Sequence, residues 1–166
     1  PRRLAQRVAD LGDLTTALGV EGPVVTLAHD WGGPISLGWA QAHRDQLAGV
    51  VLTNTGVDLP VGDPLPPLIR LARTPALRQA ACARTPVFVR GGAALSRPGL
   101  PEAVRRGLWL PYGTAGRRQA VSDFVADIPL EADHPSRPTW DALAAGVADL
   151  ADVPALLLWG PRDPVF

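Results

Sequence analysis

The chain has 166 residues, 46% of them hydrophobic, which is enough for one domain with a buried core. Its 16 basic and 16 acidic residues balance, so no net charge draws it towards nucleic acid or an anionic membrane. Its apolar runs fall short of the roughly 18 residues that indicate a membrane span. A single cysteine, Cys82, excludes an internal disulfide and suits a reducing cytoplasm.

Apolar residues spaced three and four apart predict an amphipathic helix over residues 3–18, which Gly19 ends. The continuous apolar run 24–27 predicts a strand that is covered on both faces. A helix over 34–46, with a proline in its first turn, is apolar nearly all round and is therefore expected to lie centrally. Residues 49–53 predict a second strand. Strand, helix and strand so close together form a βαβ unit, which indicates an α/β fold with a parallel sheet.

Prolines punctuate the next segment, from Asp58 to about Asp149, with no strand pattern between them. Short helical patches are predicted over 68–77, 87–95, 102–110 and 119–128. The apolar residues 155–159 then resume the sheet. The predicted organisation is a core over 1–57, a helical insertion over 58–150, and a core strand with its loop over 151–166.

The junction of the first strand and the central helix reads Ala28-His29-Asp30-Trp31-Gly32. Small residues two before and two after a central residue, between a strand and a helix, are typical of a nucleophile elbow. The central residue there holds a strained backbone, and strand and helix approach too closely for large side chains at 28 and 32. The helix N-terminus favours a carboxylate, and the backbone N–H of Trp31 is a natural oxyanion donor.

The other interpretation of Asp30 is a helix N-cap, the commoner role of an isolated Asp before a helix. The context favours a nucleophile, because a strand, the small-x-Asp-x-small pattern, Gly-Pro and a buried helix occur together.

With these residues the sequence resembles the α/β-hydrolase superfamily, in its haloalkane-dehalogenase-like branch. The resemblance rests on HDWGGPISLGWA, the VVLTNT strand, the helical insertion and WGPRDPVF, and it covers essentially the whole chain. It implies an Asp nucleophile at Asp30 that attacks carbon to form an ester, which a His-activated water then hydrolyses. It also implies that the insertion is a cap over the pocket.

The resemblance places the acid that orients the catalytic His at Asp163, after the strand 155–159. Some relatives carry that acid after the preceding strand, at the position of Asn54, but an amide cannot supply the charge. The other interpretation of Asp163 is a turn residue between two prolines.

The base itself is expected after Asp163, and none of the three histidines fits it. His29 flanks the nucleophile and is expected to turn away from the pocket, His43 lies far along the central helix, and His134 lies in the insertion. The upstream oxyanion loop is also missing. The sequence therefore predicts an α/β-hydrolase fragment that lacks the N-terminal strands and the C-terminal His segment and has no turnover by itself.

Two cap stretches, RTPVFVRGGAALSRP and AVSDFVADIPLEADHPS, resemble the β-lactone decarboxylases of bacterial long-chain olefin biosynthesis. The resemblance implies that a cis-β-lactone is converted to an alkene and CO2. Haloalkane dehalogenation is the alternative, in which the Trp31 indole N–H binds a leaving halide or carboxylate rather than simply packing. Epoxide hydrolysis is less favoured because Tyr112 is the only tyrosine, and a non-catalytic scaffold stays open.

The resemblance implies a small hydrophobic substrate and no metal or cofactor; the elbow also lacks the glycine spacing of dinucleotide-binding folds. The β-lactone decarboxylases are also known fused to an acyl-adenylate-type synthetase, which is therefore an expected partner.

Overall fold

The computed structural model describes residues 2–59, 74–96 and 98–163. The chain forms two compact units, one made of Pro1–Pro64 with Pro129–Phe166 and the other of Leu65–Ile128. The helices and strands of the described residues are α1 (Leu4–Ala17), β1 (Val24–His29), α2 (Gly32–Ala42), β2 (Leu47–Thr53), α3 (Pro75–Arg78), α4 (Val87–Ala94), α5 (Glu102–Trp109), α6 (Ala115–Ala126), α7 (Arg137–Gly146) and β3 (Ala155–Leu158). A π-helical segment, Gln79–Arg84, continues α3, and 3-10 turns follow α5 at Leu110–Tyr112 and α7 at Val147–Leu150.

The first unit contains a parallel sheet with the strand order β1-β2-β3. Leu27 pairs with Val51, which in turn pairs with Leu156. The parallel sheet predicted from the strand–helix–strand pattern is confirmed. β1 extends two residues beyond its predicted end, because the backbones of Ala28 and His29 continue the ladder to β2.

The helix α2 is the centre of this unit, as its apolar sequence predicts. Trp39 and Ala40 are 2% and 0% exposed and pack in a cluster with Leu47 and Val50. The helix begins at Gly32 and ends at Ala42, so it starts earlier and stops sooner than predicted. The backbone N–H of His43 still bonds to the Trp39 carbonyl, but the chain then turns directly into β2.

The helix α1 packs against α2 from Val8, which lies against Gly38, to Thr15, whose hydroxyl accepts a hydrogen bond from the Trp39 indole N–H at 3.0 Å. Leu4 is fully buried, whereas Leu14 and Leu18 are 53% and 69% exposed, so the predicted apolar stripe is covered only in part. Gly19 ends the helix with a φ of 62°. The N–H groups of Gly19 and Val20 bond to the Thr16 and Thr15 carbonyls, which is the Schellman arrangement expected of a helix-ending glycine.

Close packing joins α1, α2 and α7. A Cβ at Gly38 would lie 2.7 Å from a Val8 methyl and 3.2 Å from a Leu143 methyl, so only glycine fits this crossing. The sequence assigned residues 129–150 to the insertion. In the structure they include α7, and they belong to the sheet unit.

The second unit is helical throughout its described residues. Its core includes Cys82 and Val125, with Phe88 against them. The buried guanidinium of Arg118 donates hydrogen bonds to the carbonyls of Ala83 and Arg84, at the end of the π-helical segment. A buried charge is tolerated there because backbone carbonyls solvate it.

Helices occur where three of the four helical patches were predicted. The patch predicted over 119–128 begins earlier, at Ala115, because Thr114 caps the helix by accepting a hydrogen bond from the Arg117 N–H. Most of the patch predicted over 68–77 lies outside the described residues. No helix in the described part of the chain is long and apolar enough to cross a membrane.

Candidate active site

Asp30 follows the last residue of β1 and has a φ of 51°, a left-handed conformation that is strained for most side chains. Three hydrogen bonds hold this backbone. The Asp30 N–H donates to the Asn54 carbonyl (3.1 Å), and the Asp30 carbonyl accepts from the Thr55 hydroxyl (2.6 Å) and the Gly33 N–H (3.0 Å). The end of β2 therefore holds the turn, and the strain predicted for an elbow is present at Asp30.

The tightest approach at this turn is at Gly33. A Cβ there would lie 1.9 Å from the Thr55 hydroxyl oxygen, which no real side chain can do. At Gly32 a Cβ would lie 3.6 Å from the Ala28 Cβ, an ordinary contact. The glycine requirement therefore falls one residue later than the elbow pattern predicts, because Thr55 of the neighbouring strand end fills the space beside Gly33.

The Asp30 carboxyl is exposed at the surface of the unit, directly before the N-terminus of α2. Partial loss of solvent to the surrounding protein raises the pKa of this carboxyl above the usual 3.8. The positive charge of His29 and a hydrogen bond from the Trp31 N–H lower the pKa, and the negative charge of Asp163 raises it. An accessible carboxylate, with one backbone N–H to orient it, is suited to attack an electrophile.

Asp163 lies in the loop after β3, and the structure brings it to the same edge of the sheet as Asp30. Its Oδ2 accepts a hydrogen bond of 2.6 Å from the side-chain amide of Asn54. The side-chain oxygen Oδ1 of Asn54 accepts from the Gly160 N–H at 3.0 Å. This edge carries the carboxyl ends of three parallel strands, which is where α/β proteins place their ligands.

No family model matches the chain. Among curated proteins, a cis-3-alkyl-4-alkyloxetan-2-one decarboxylase of Xanthomonas campestris is 37% identical to it over 169 residues. The matched region covers 98% of this chain and 55% of that protein. An enzyme of the same name from Shewanella oneidensis is 31% identical, over 98% of this chain and 52% of its own length. Haloalkane dehalogenase 2 of Mycobacterium tuberculosis is 29% identical, over 94% and 53%.

Solved structures share the fold. A haloalkane dehalogenase from Bradyrhizobium elkani superposes with a TM-score of 0.80 at 23% identity, over 95% of this chain and 56% of that one. One from Paraglaciecola agarilytica gives 0.79 at 18%, over 99% and 52%. The chain has the α/β-hydrolase fold, in the form found in haloalkane dehalogenases. It spans about half the length of the curated relatives it matches.

In this α/β-hydrolase segment, the side chain of Trp31 takes part in packing. Its ring meets that of Trp140 edge to face, with centroids 5.6 Å apart and planes at 89°. Leu4 and Leu143 complete the cluster. These contacts give Trp31 a packing role. Its side chain is half-buried, and its binding of a leaving group stays a prediction.

Two of the three histidines of the chain have structural partners. The Nδ1 of His43 lies 2.9 Å from the Trp39 carbonyl, and the two rings stack 4.5 Å apart. The Nδ1 of His134 accepts a hydrogen bond from the Ser136 N–H. His29 is exposed and close enough to Asp30 to lower the pKa of that carboxyl. That none of the three is the catalytic base stays a prediction from the sequence.

Sequence reasoning missed Thr55 and the part that Asn54 plays beside it. Their signal was the Thr-Asn-Thr run at the end of a buried strand, since polar residues at the carboxyl end of a parallel strand face the ligand edge. No group of three or more His, Cys, Asp or Glu side chains that could hold a metal ion occurs in the described ranges.

Proposed function

We propose that this chain carries the nucleophile, Asp30, and the acid, Asp163, of an enzyme that decarboxylates cis-β-lactones. The observation that carries the proposal is the left-handed elbow at Asp30, with an exposed carboxylate at the start of α2. The choice of substrate class is supported by the 37% identity to an oxetanone decarboxylase.

The proposed chemistry begins when an Asp30 oxygen attacks the sp3 ring carbon that bears the ring oxygen. A carbon–oxygen bond of an ester forms, and the carbon–oxygen bond of the strained ring breaks to release a carboxylate. The carbon–carbon bond to that carboxylate then breaks, and its electron pair forms the alkene. CO2 leaves, and Asp30 departs with the electron pair of the ester bond. The nucleophile is regenerated with no net gain or loss of a proton.

The proposed role of Asp163 is to orient a histidine base outside this chain and to stabilise the positive charge that forms on it. Trp31 is proposed to bind the departing carboxylate or halide, through its backbone N–H or its indole. The separate helical unit within the insertion, Leu65–Ile128, is proposed to be the cap that selects a small hydrophobic substrate. A cytoplasmic location, suggested by the single Cys82, and a synthetase partner belong to the same proposal.

Haloalkane dehalogenation is the second candidate, and the fold supports it, with a TM-score of 0.80 to a haloalkane dehalogenase. Here Asp30 displaces a halide from an sp3 carbon, and the ester persists until an activated water hydrolyses it. The two candidates thus differ in whether the ester needs a base to be released. Epoxide hydrolysis and a non-catalytic scaffold are further alternatives.

The proposal can be tested with a protein that includes this chain together with a histidine base, incubated separately with a long-chain cis-β-lactone and a long-chain 1-haloalkane. Gas chromatography measures the alkene, ion chromatography the halide, and intact-protein mass spectrometry an ester on Asp30. We expect alkene or a lactone adduct, and both should be lost in Asp30→Ala, while Asp10→Ala, an exposed carboxylate remote from the elbow in sequence, serves as the matched control.

Equal product from Asp30→Ala would refute the nucleophile. Halide release with a stable ester, and no alkene from the lactone, would favour the dehalogenase. No reaction with either substrate, in a folded protein that carries a histidine base, would favour the scaffold.

A further inference from the structure

Asn54 directly follows β2, and its backbone is hydrogen-bonded to both the end of β3 and the elbow. This residue has a φ of 35°, the second left-handed non-glycine residue of the described chain. Its N–H donates to the Leu158 carbonyl of β3 (3.3 Å), and its carbonyl accepts from the Asp30 N–H (3.1 Å). The backbone of Asn54 therefore links the end of β3 to the elbow.

The side chain of Asn54 continues this link into the loop after β3. Its amide nitrogen donates to Asp163 Oδ2, and its oxygen accepts from the Gly160 N–H. These two partners fix the orientation of the amide, since an N–H cannot face an N–H and an oxygen cannot face a carboxylate. Both ends of the side chain thus hold the same loop.

We propose that Asn54 is a positioning residue that holds the Asp163 carboxylate beside the elbow of Asp30, and so acts on catalysis through Asp163. The inference rests on the proposed function for the roles of the two carboxylates. The geometry of the link itself depends on no reaction.

Two requirements at position 54 select this residue type. A left-handed backbone is adopted readily only by Gly, Asn and Asp. Of these three, only Asn offers an N–H to a carboxylate, because Gly has no side chain and ionised Asp only accepts. The amide is also neutral, so it holds Asp163 without cancelling the negative charge that an acid needs to orient a base.

Asn54 is the only asparagine of the chain, which allows a direct test. Selective 15N labelling of asparagine gives one side-chain NH2 pair in the NMR spectrum. We expect its proton shift to follow an acidic titration in the wild type. Asp163→Ala should abolish this pH dependence, whereas Asp30→Ala should leave it, and neither variant adds a second asparagine. A pair that does not titrate in the wild type, or that titrates unchanged in Asp163→Ala, would overturn the proposal.

A second pair of variants separates positioning from simple structural support. Asn54→Gly and Asn54→Asp both keep the left-handed backbone, but Gly releases Asp163 and Asp adds a second carboxylate. The groups that face the Asp30 carboxyl are His29, Asp163 and the Trp31 N–H. Because the charge of Asp163 raises the pKa of Asp30, we expect that pKa to fall in Asn54→Gly and to rise in Asn54→Asp.

Carboxyl 13C NMR of Asp30 measures both shifts without any substrate. A failure here is therefore distinct from a failure of the proposed chemistry, which the alkene assay reports. Near-UV circular dichroism first selects the variants that are folded. Shifts of the same sign, or no shift in a folded variant, would show that Asn54 supports the loop without positioning the charge. If both variants unfold, the labelling experiment on Asp163→Ala still decides.

Discussion

The carboxyl edge of the sheet is held by contacts within this chain, whereas one face of the sheet is left exposed. At the edge, hydrogen bonds connect the elbow, the end of β2 and the loop after β3. On the uncovered face, Val25 and Leu27 of β1 are 61% and 77% exposed, and Leu156 and Leu158 of β3 are 51% and 50% exposed. The register places Leu27 and Leu156 on opposite sides of Val51, on one side of the sheet.

The difference shows which parts of the fold are locally self-sufficient. The site edge is held by polar contacts between segments that this chain itself contains. The apolar face of a parallel sheet is normally covered by helices, and the described residues do not cover it. The geometry around Asp30 is therefore expected to persist while the sheet stays prone to association. The following variants test that comparison.

Among the variants that are expected to stay folded, the largest stability effect is expected from Gly33→Ala. The added Cβ would collide with Thr55, so we expect a loss of about 1–3 kcal/mol in the free energy of unfolding. Urea denaturation followed by circular dichroism measures it. Gly32→Ala is the matched control, because its Cβ fits at 3.6 Å from the Ala28 Cβ, an ordinary contact that should leave the free energy of unfolding nearly unchanged. Equal effects at the two positions would contradict the close approach.

Thr55→Val tests the hydrogen bond that holds the elbow. The variant keeps the shape of the side chain but removes the donor to the Asp30 carbonyl, so we expect a loss of about 1 kcal/mol. Thr53→Val is the control, because its hydroxyl makes a longer bond of 3.2 Å to the Ala28 carbonyl. The comparison of the two urea midpoints gives the result, and a greater loss in Thr53→Val would contradict the assignment of Thr55 as the elbow support.

The charge of Asp30 is expected to give a pH-dependent difference in stability. The pKa of its carboxyl is raised on folding, so the native state favours the protonated form. That stabilisation is fully present below 3.8 and is lost as the pH rises through the folded-state pKa.

Relative to the wild type, Asp30→Asn should therefore gain stability as the pH rises through the folded-state pKa. Asn is isosteric and tolerates the left-handed backbone equally well. Urea midpoints between pH 3 and pH 8, with mass spectrometry to check for deamidation, measure the effect. A difference that is constant across this range would refute the raised pKa.

The smallest stability effect is expected on the uncovered face. Leu27→Lys should change the free energy of unfolding by no more than about 0.5 kcal/mol, because the side chain is exposed, but it should reduce self-association. Ala28→Lys, one residue on and 5% exposed, places a charge in the core and should unfold the chain. Light scattering and thermal melts measure the two outcomes. A large stability loss in Leu27→Lys would show that the face is covered in solution.

Much of the local structure could be predicted from the sequence. The apolar run, the small residues and Pro34 predict a strand, a turn and a buried helix, because side-chain sterics and hydrophobic periodicity act over a few residues. The left-handed backbone at Asp30 follows from the same short pattern. The early end of α2 was less predictable, since the polar residues of the turn, 43–46, include no glycine or proline to end a helix.

The sequence by itself therefore determined the type of site: one carboxylate on an elbow between a strand and a central helix. Only the tertiary structure decided its neighbours. Asn54 and Asp163 are 109 residues apart in the chain, and their contact depends on the register of β2 against β3. The glycine requirement at Gly33 likewise depends on where Thr55 falls beside the elbow. Register is set by the packing of whole strands, so a local pattern does not contain it.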